Sequence, residues 1–185
     1  MAAPEQPVFF YDLGSPQCYL VAETIMAALP AVPEWEPVLG PDIGAPAPAH
    51  VDRRQIEDQA AALGLQPIRW PASWPPETRP AMLAATYAKQ IGRAVAFSLA
   101  AFRQTFAGGR ELSDENTVLI AGAACEMHPT ALRKGMELRS TRHALGNATR
   151  RAQDAGVRTL PAIQIGNRVY GTVDEAAAAI EGALR

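Results

Sequence analysis

The stretch from Pro7 to Cys18, PVFFYDLGSPQC, constrains the fold more than any other part of the chain. Residues 7 to 12 form a short apolar run rich in aromatics, the composition of a buried strand. Gly14 and Ser15 then make a turn. Pro16 suits the first position of a helix, where its missing N–H costs nothing and its φ is already set. From Pro16 to about Leu29, Tyr19, Leu20, Ala22, Ile25, Met26 and Leu29 recur at helical spacing, and Pro30 and Pro33 stop the run. Residues 34 to 39, EWEPVL, alternate as a second strand. The chain therefore opens as a βαβ unit. Its Ser15 turn lies at the carboxyl end of the first strand, where open α/β sheets bind ligands.

Beyond this unit the chain changes character. Residues 40 to 50, GPDIGAPAPAH, read as a loop leaving the sheet. The next hundred residues are predicted helical. Asp52 caps a helix that ends before Gly64. Residues 65 to 80, LQPIRWPASWPPETRP, hold too many prolines for a regular element. Thr78 and Pro80 open a helix that ends near Gly92. Val95, Leu99, Phe102 and Phe106 share one face of the next, up to Gly108–Gly109. Ser113 is the expected cap of another, Pro129 opens a fifth that Gly135 weakens, and Ser140 is the expected cap of a sixth that ends at Gly156. Residues 157 to 165, VRTLPAIQI, then read as strand, Gly166–Asn167 as a hairpin loop, and RVYG as the return strand. Pro161 inside that run argues for an edge position or a special peptide bond, and a cis Leu160–Pro161 bond is expected. Thr172 and Glu175 make a capping box for the alanine-rich last helix. The fold class is thus α/β. A split βαβ…ββα domain, residues 1–45 and 156–185, is interrupted by an all-helical insertion, 46–155.

With 48% hydrophobic and 19% charged residues in 185, the chain can bury a core without disulfide staples. Cys18 and Cys125 alone cannot make a secreted-type framework. No lysine or arginine precedes Arg53, so the N-terminus lacks a secretory n-region, and no apolar run reaches membrane-spanning length. A cytoplasmic location is expected. The formal net charge of −2 gives no global reason to bind nucleic acid or anionic membrane. Charge is uneven, however. Arg133, Lys134, Arg139, Arg142, Arg150, Arg151 and Arg158 crowd one region, either as a solvated helix face or as a field that draws a small anion.

A helix start leaves N–H groups unpaired and presents a positive dipole end, which stabilises a thiolate. Redox enzymes place a cysteine there; this chain places Ser15. A serine hydroxyl cannot form a disulfide, but it can donate a hydrogen bond to the thiolate of a bound small thiol. Its other reading is a plain N-cap. Cys18, one turn on and on the same face, is either a packed small hydrophobe or a partner for a mixed disulfide. Cys125 sits in an apolar helix and reads as packing. His50, His128 and His143 show no metal spacing, and no metal is expected. P-loop, dinucleotide and nucleophile-elbow motifs are absent.

The segments FFYDLGSPQCYL, GLQPIRWPASWPPET, GRAVAFSLAAFRQTFAGGR and GVRTLPAIQIGN together resemble the DsbA-like thioredoxin-fold superfamily, over nearly the whole chain. Within it they are most similar to the branch of 2-hydroxychromene-2-carboxylate isomerases and kappa-class glutathione transferases. The resemblance implies a thioredoxin fold with a helical insertion, often homodimeric. It implies that Ser15 binds and activates the glutathione thiol. Leu160 would pair its backbone with the glutathione peptide, beside the cis-proline Pro161. The γ-glutamyl carboxylate would dock at the start of the last helix, where Thr172 and Asp174 stand. The branch usually carries Gly-x-Asp-Arg there; this chain reads Gly171-Thr172-Val173-Asp174-Glu175.

Three functions are expected as alternatives. The first is an isomerase or transferase dependent on glutathione or another small thiol, with Ser15 catalytic and a small acid, of the unsaturated aromatic kind, as substrate. The second is a DsbA-family thiol–disulfide oxidoreductase working with Cys18 as a single site cysteine. The third is a binding protein that keeps the fold without the chemistry.

Overall fold

The first apolar run folds as strand β1 (Val8–Tyr11), and Pro16 opens helix α1 (Pro16–Ala28) with Ser15 as its N-cap. Strand β2 (Glu34–Pro37) returns parallel to β1, with Phe9 opposite Trp35. Six helices come next: α2 (Arg53–Ala62), α3 (Arg79–Gln90), α4 (Ala94–Phe106), α5 (Glu115–Ala124), α6 (Pro129–Glu137) and α7 (Arg139–Asp154). The chain re-enters the sheet as β3 (Ala162–Ile165) and β4 (Arg168–Tyr170), and ends in α8 (Val173–Ala183). This computed structural model describes residues 6–46 and 50–183. Residues 47–49 of the proline-rich loop lie outside the described residues.

The sheet order is β2-β1-β3-β4. Strand β3 runs antiparallel to β1, with Phe9 opposite Ile163, and pairs with β4 across the two-residue Gly166–Asn167 loop. Gly166 sits at φ +58°, a conformation that favours glycine, which suits the tight turn. This is a thioredoxin-type fold with a helical insertion between β2 and β3.

The period-two alternation of β1 sends its side chains to two separate cores. Phe9 and Tyr11 face a large cluster built with α1, α3, α4 and α5, whereas Phe10 faces a smaller one with Ala148, Ala152 and Val157 at the end of α7. In the larger core Tyr19 of α1 stacks on Phe106 of α4 at 5.5 Å between ring centroids. The hydroxyl of Tyr11 shares a 2.6 Å hydrogen bond with Ser98 Oγ. Sheet and insertion are therefore packed into each other.

Several boundaries differ from those expected of the sequence. Strand β3 begins at Ala162, not Val157. Pro161 lies just outside the ladder, so β3 occupies an interior position, and the Leu160–Pro161 bond is cis. The Trp74–Pro75 bond is cis as well. Helix α5 is capped by Asp114, whose carboxylate accepts the Asn116 N–H at 2.9 Å, and not by Ser113. Helix α7 starts at Arg139 without a side-chain cap, which places Ser140 inside it. Strands β1 and β2 each end before the limits read from hydrophobicity alone, because Asp12, Val38 and Leu39 belong to the loops that shape the site.

Candidate active site

The site is a cleft of about 550 Å³ between the carboxyl end of β1, the loop after β2, the start of α2 and the segment before α3. Ser15, the α1 N-cap, is on its wall. The Ser15 backbone N–H donates to the Asp12 carbonyl at 3.0 Å, closing the turn. Its Oγ accepts the Cys18 N–H at 3.2 Å and donates to Gln17 Oε1 at 3.3 Å. The capping bond leaves the hydroxyl proton directed along the cleft wall. The long contact to Gln17 is one that a charged acceptor in the cleft would replace.

The turn is held from below by Asp12, which is 5% exposed. One carboxyl oxygen accepts the Gly14 N–H at 2.9 Å. The other accepts the Gly40 N–H at 2.9 Å and the Thr78 hydroxyl at 3.4 Å. A single side chain thus ties the α1 turn, the loop after β2 and the start of α3. Burial pushes the carboxyl above its ordinary value, although the Gly14 and Gly40 amides and Thr78 pull it down. Both glycines are required by close approach. A Cβ on Gly14 would run into the Thr78 methyl, and one on Gly40 would sit 3.3 Å from Asp12 Oδ2 and 3.5 Å from Leu160 Cδ1.

Cys18 is fully buried beneath Ser15, and desolvation pushes its thiol up to about 12 against the pull of Ser15 and the Asp12 backbone. A thiol so placed stays protonated and inaccessible at neutral pH. Cys125, also buried, donates from Sγ to the Ala121 and Gly122 carbonyls at 3.4 and 3.2 Å, as a packed helical cysteine does.

Of the residues singled out in the sequence, Ser15 and Leu160 line the same cleft, and Pro161 follows Leu160 directly. Thr172 and Asp174 are exposed and do not line the cleft, although Thr172 Oγ1 accepts the Glu175 N–H at 3.3 Å as a capping box should. The basic residues of α6 and α7 do not line it either. Arg133 pairs with Glu115 at 2.7 Å and Arg151 with Glu36 at 2.9 Å. Sequence reasoning missed Gln17, His50, Gln55, Thr78 and Thr159 as wall residues. Only tertiary packing brings them to Ser15, and none carries a local motif. The wall at Pro75 and Pro76 is steadied by the segment behind it. Arg53 lies over Trp70 and Trp74, 4.9 and 5.5 Å from their ring centroids, and Trp70 Nε1 donates to Glu57 at 2.6 Å. Among the described residues, no cluster of three or more His, Cys, Asp or Glu side chains could hold a metal ion, and no helix is long and apolar enough to cross a membrane.

Solved structures share this architecture. 2-Hydroxychromene-2-carboxylate isomerase superposes with a TM-score of 0.81 at 14% identity, over 96% of this chain and 93% of its own. A probable DsbA oxidoreductase from Streptomyces coelicolor gives 0.75 at 17% identity, over 96% and 90%. The cytosolic disulfide reductase DsbM from Pseudomonas aeruginosa, solved with glutathione, gives 0.65 at 16% identity, over 97% and 99%. No curated protein matches the sequence. Residues 8–181 match the DSBA-like thioredoxin domain. With that match covering almost the entire chain, and with the split βαβ…ββα sheet, the protein belongs to the DSBA-like thioredoxin domain family.

Proposed function

We propose that the protein is a small-thiol-dependent isomerase or transferase in which Ser15 receives the cofactor's sulfur. The carrying observation is the placement of the Ser15 hydroxyl. It stands at the N-terminus of a 13-residue helix, on the wall of a cleft that also contains Leu160 of the cis-proline loop. The helix end and the hydroxyl both favour a negative sulfur there, so a bound thiol would ionise more readily than in water. When bound, such a thiol supplies a borrowed nucleophile for an unsaturated or otherwise electrophilic carbon. The chain's own residues position and stabilise. Ser15 donates to the sulfur, Gln17 releases the hydroxyl it now holds, and Asp12 keeps the turn in place.

The oxidoreductase reading needs a reachable thiolate. A fully buried Cys18 whose thiol is pushed up to about 12 weighs against it. The test is calorimetric titration of wild type and Ser15→Ala with a panel of small thiols, glutathione among them. The tightest-binding thiol is expected to lose about tenfold in Ser15→Ala, the size of one lost charge-assisted hydrogen bond. Equal binding of every thiol by both proteins would overturn the proposal.

A further inference from the structure

The charge pattern of the cleft bears on which thiol it takes, once Ser15 is read as the thiol site, and the inference rests on that reading. Glutathione carries two carboxylates, and a carboxylate brought into a cleft needs a cation or open N–H groups to replace its water. The lining supplies neither. Among the described residues it contains no arginine or lysine, and residues 47–49, Ala-Pro-Ala, have none to add. The arginines nearest in sequence to the lining are engaged elsewhere. Arg53 lies over Trp70 and Trp74, Arg79 pairs with Asp42 at 3.4 Å, and Arg158 donates to the Gln153 and Val157 carbonyls at 3.0 and 2.9 Å.

Helix ends could substitute for side-chain cations, and three helices begin at this cleft. Each start is already closed by the chain itself. Ser15 Oγ takes the Cys18 N–H at α1, Asp52 takes the Gln55 N–H at 3.2 Å at α2, and Glu77 takes the Arg79 N–H at 2.9 Å at α3. Two of these caps are carboxylates, and Asp52 itself lines the cleft. What the wall offers instead is neutral. Gln55, Thr159 and His50 line it with side chains that make no hydrogen bond to the described residues, and Gln17 holds only its long contact to Ser15. Amide and hydroxyl groups of this kind donate and accept in turn, as ligand hydroxyls do.

We infer that the cleft takes an uncharged, hydroxyl-bearing small thiol, a polyol or sugar thiol, in preference to a carboxylate-bearing thiol such as glutathione. The same lining disfavours a carboxylate on the electrophile. Unsaturated carbonyl compounds without an acid group are therefore the substrates to screen first, ahead of aromatic acids.

The probes are 1-thioglycerol and 1-thioglucose as uncharged thiols, 3-mercaptopropionate and glutathione as anionic ones, and the S-methyl ether of each, titrated calorimetrically into the full chain. The uncharged thiols are expected to bind about tenfold or more tightly than the anionic ones, since each unmatched carboxylate loses hydrogen bonds to water. Gln55→Lys, which adds a cation on the wall, is expected to narrow that gap by strengthening 3-mercaptopropionate. Wild-type binding of glutathione or 3-mercaptopropionate as tight as that of 1-thioglycerol overturns the inference and leaves Ser15 as the thiol site. If the ethers bind as well as their thiols with the same neutral-over-anionic order, the charge preference stands and the thiol reading fails. Binding of no probe overturns both.

Discussion

At Asp12 a residue with no catalytic task decides whether Ser15 is in place. Its carboxyl accepts two buried backbone N–H groups and the Thr78 hydroxyl, so removing it orphans donors in three segments at once. Asp12→Ala is expected to lose about 3 kcal/mol of stability, read as a lower urea midpoint, and to weaken thiol binding along with it. A variant as stable as wild type would mean that water replaces the carboxyl and that the turn holds itself. Cys18 gives a pH signature. Its folded-state value, about 12, lies above the 9.0 of an ordinary cysteine, so the folded protein holds that proton more tightly than the unfolded chain. The contribution is fully present below pH 9 and is lost as pH rises through 12. Wild type should therefore lose stability relative to Cys18→Ala across that alkaline window, with their difference constant below it. The same burial predicts that native Cys18 resists iodoacetamide at about pH 8, below the ordinary thiol value, and reacts only on unfolding. Rapid native alkylation would revive the single-cysteine reading.

Elements were legible where the local signal and the tertiary outcome agree. The strand–turn–Pro16 start, the Asp52 cap and the Thr172–Glu175 box are all local chemistry, and each stands where the spacing puts it. The long reading of β3 failed because hydrophobicity continues through Val157 and Leu160, while pairing with β1 begins only after the cis Leu160–Pro161 bond. The cleft wall was not legible at all. Gln55 and Thr159 are far apart in the chain, and only the packing of the insertion on the sheet brings them together. Gly135 shows the same limit inside one element. Its propensity marks it as a weak point of α6, yet a Cβ there would run into the Tyr87 ring of α3. Gly135→Ala is therefore expected to destabilise by about 1–3 kcal/mol through overpacking, despite a helix-propensity gain of about 1 kcal/mol. Adding Tyr87→Ala should remove most of the glycine's advantage, which a double-mutant cycle in urea would read as coupling. Independent effects at the two positions would return Gly135 to the role of a helix weakness.

Across the whole molecule, the division into a split sheet domain and a helical insertion describes chain order more than it describes stability. Tyr11 of β1 packs on Phe102 of α4 with centroids 6.0 Å apart, and Tyr19 of α1 stacks on Phe106. Glu36 of β2, whose side chain is 9% exposed, meets Lys89 of α3 at 2.6 Å and Arg151 of α7 at 2.9 Å. Arg103 of α4 takes Glu23 of α1 in a two-pronged pair at 2.7 Å for each bond. An insertion removed from the sheet would expose these aromatic faces and strand the Glu36 carboxylate, so neither part has a reason to unfold alone. The three tryptophans can report this separately, because Trp35 lies in β2 while Trp70 and Trp74 lie in the segment before α3. In Trp35→Phe, fluorescence follows the insertion side; in the Trp70→Phe, Trp74→Phe double variant, it follows the sheet. Within each protein the fluorescence and far-ultraviolet circular dichroism midpoints in urea are expected to coincide, as one cooperative transition requires. If the sheet tryptophan instead reports a later midpoint than the helices, the insertion opens first. The cleft, which needs walls from both parts, would then be lost before the sheet that supports Ser15.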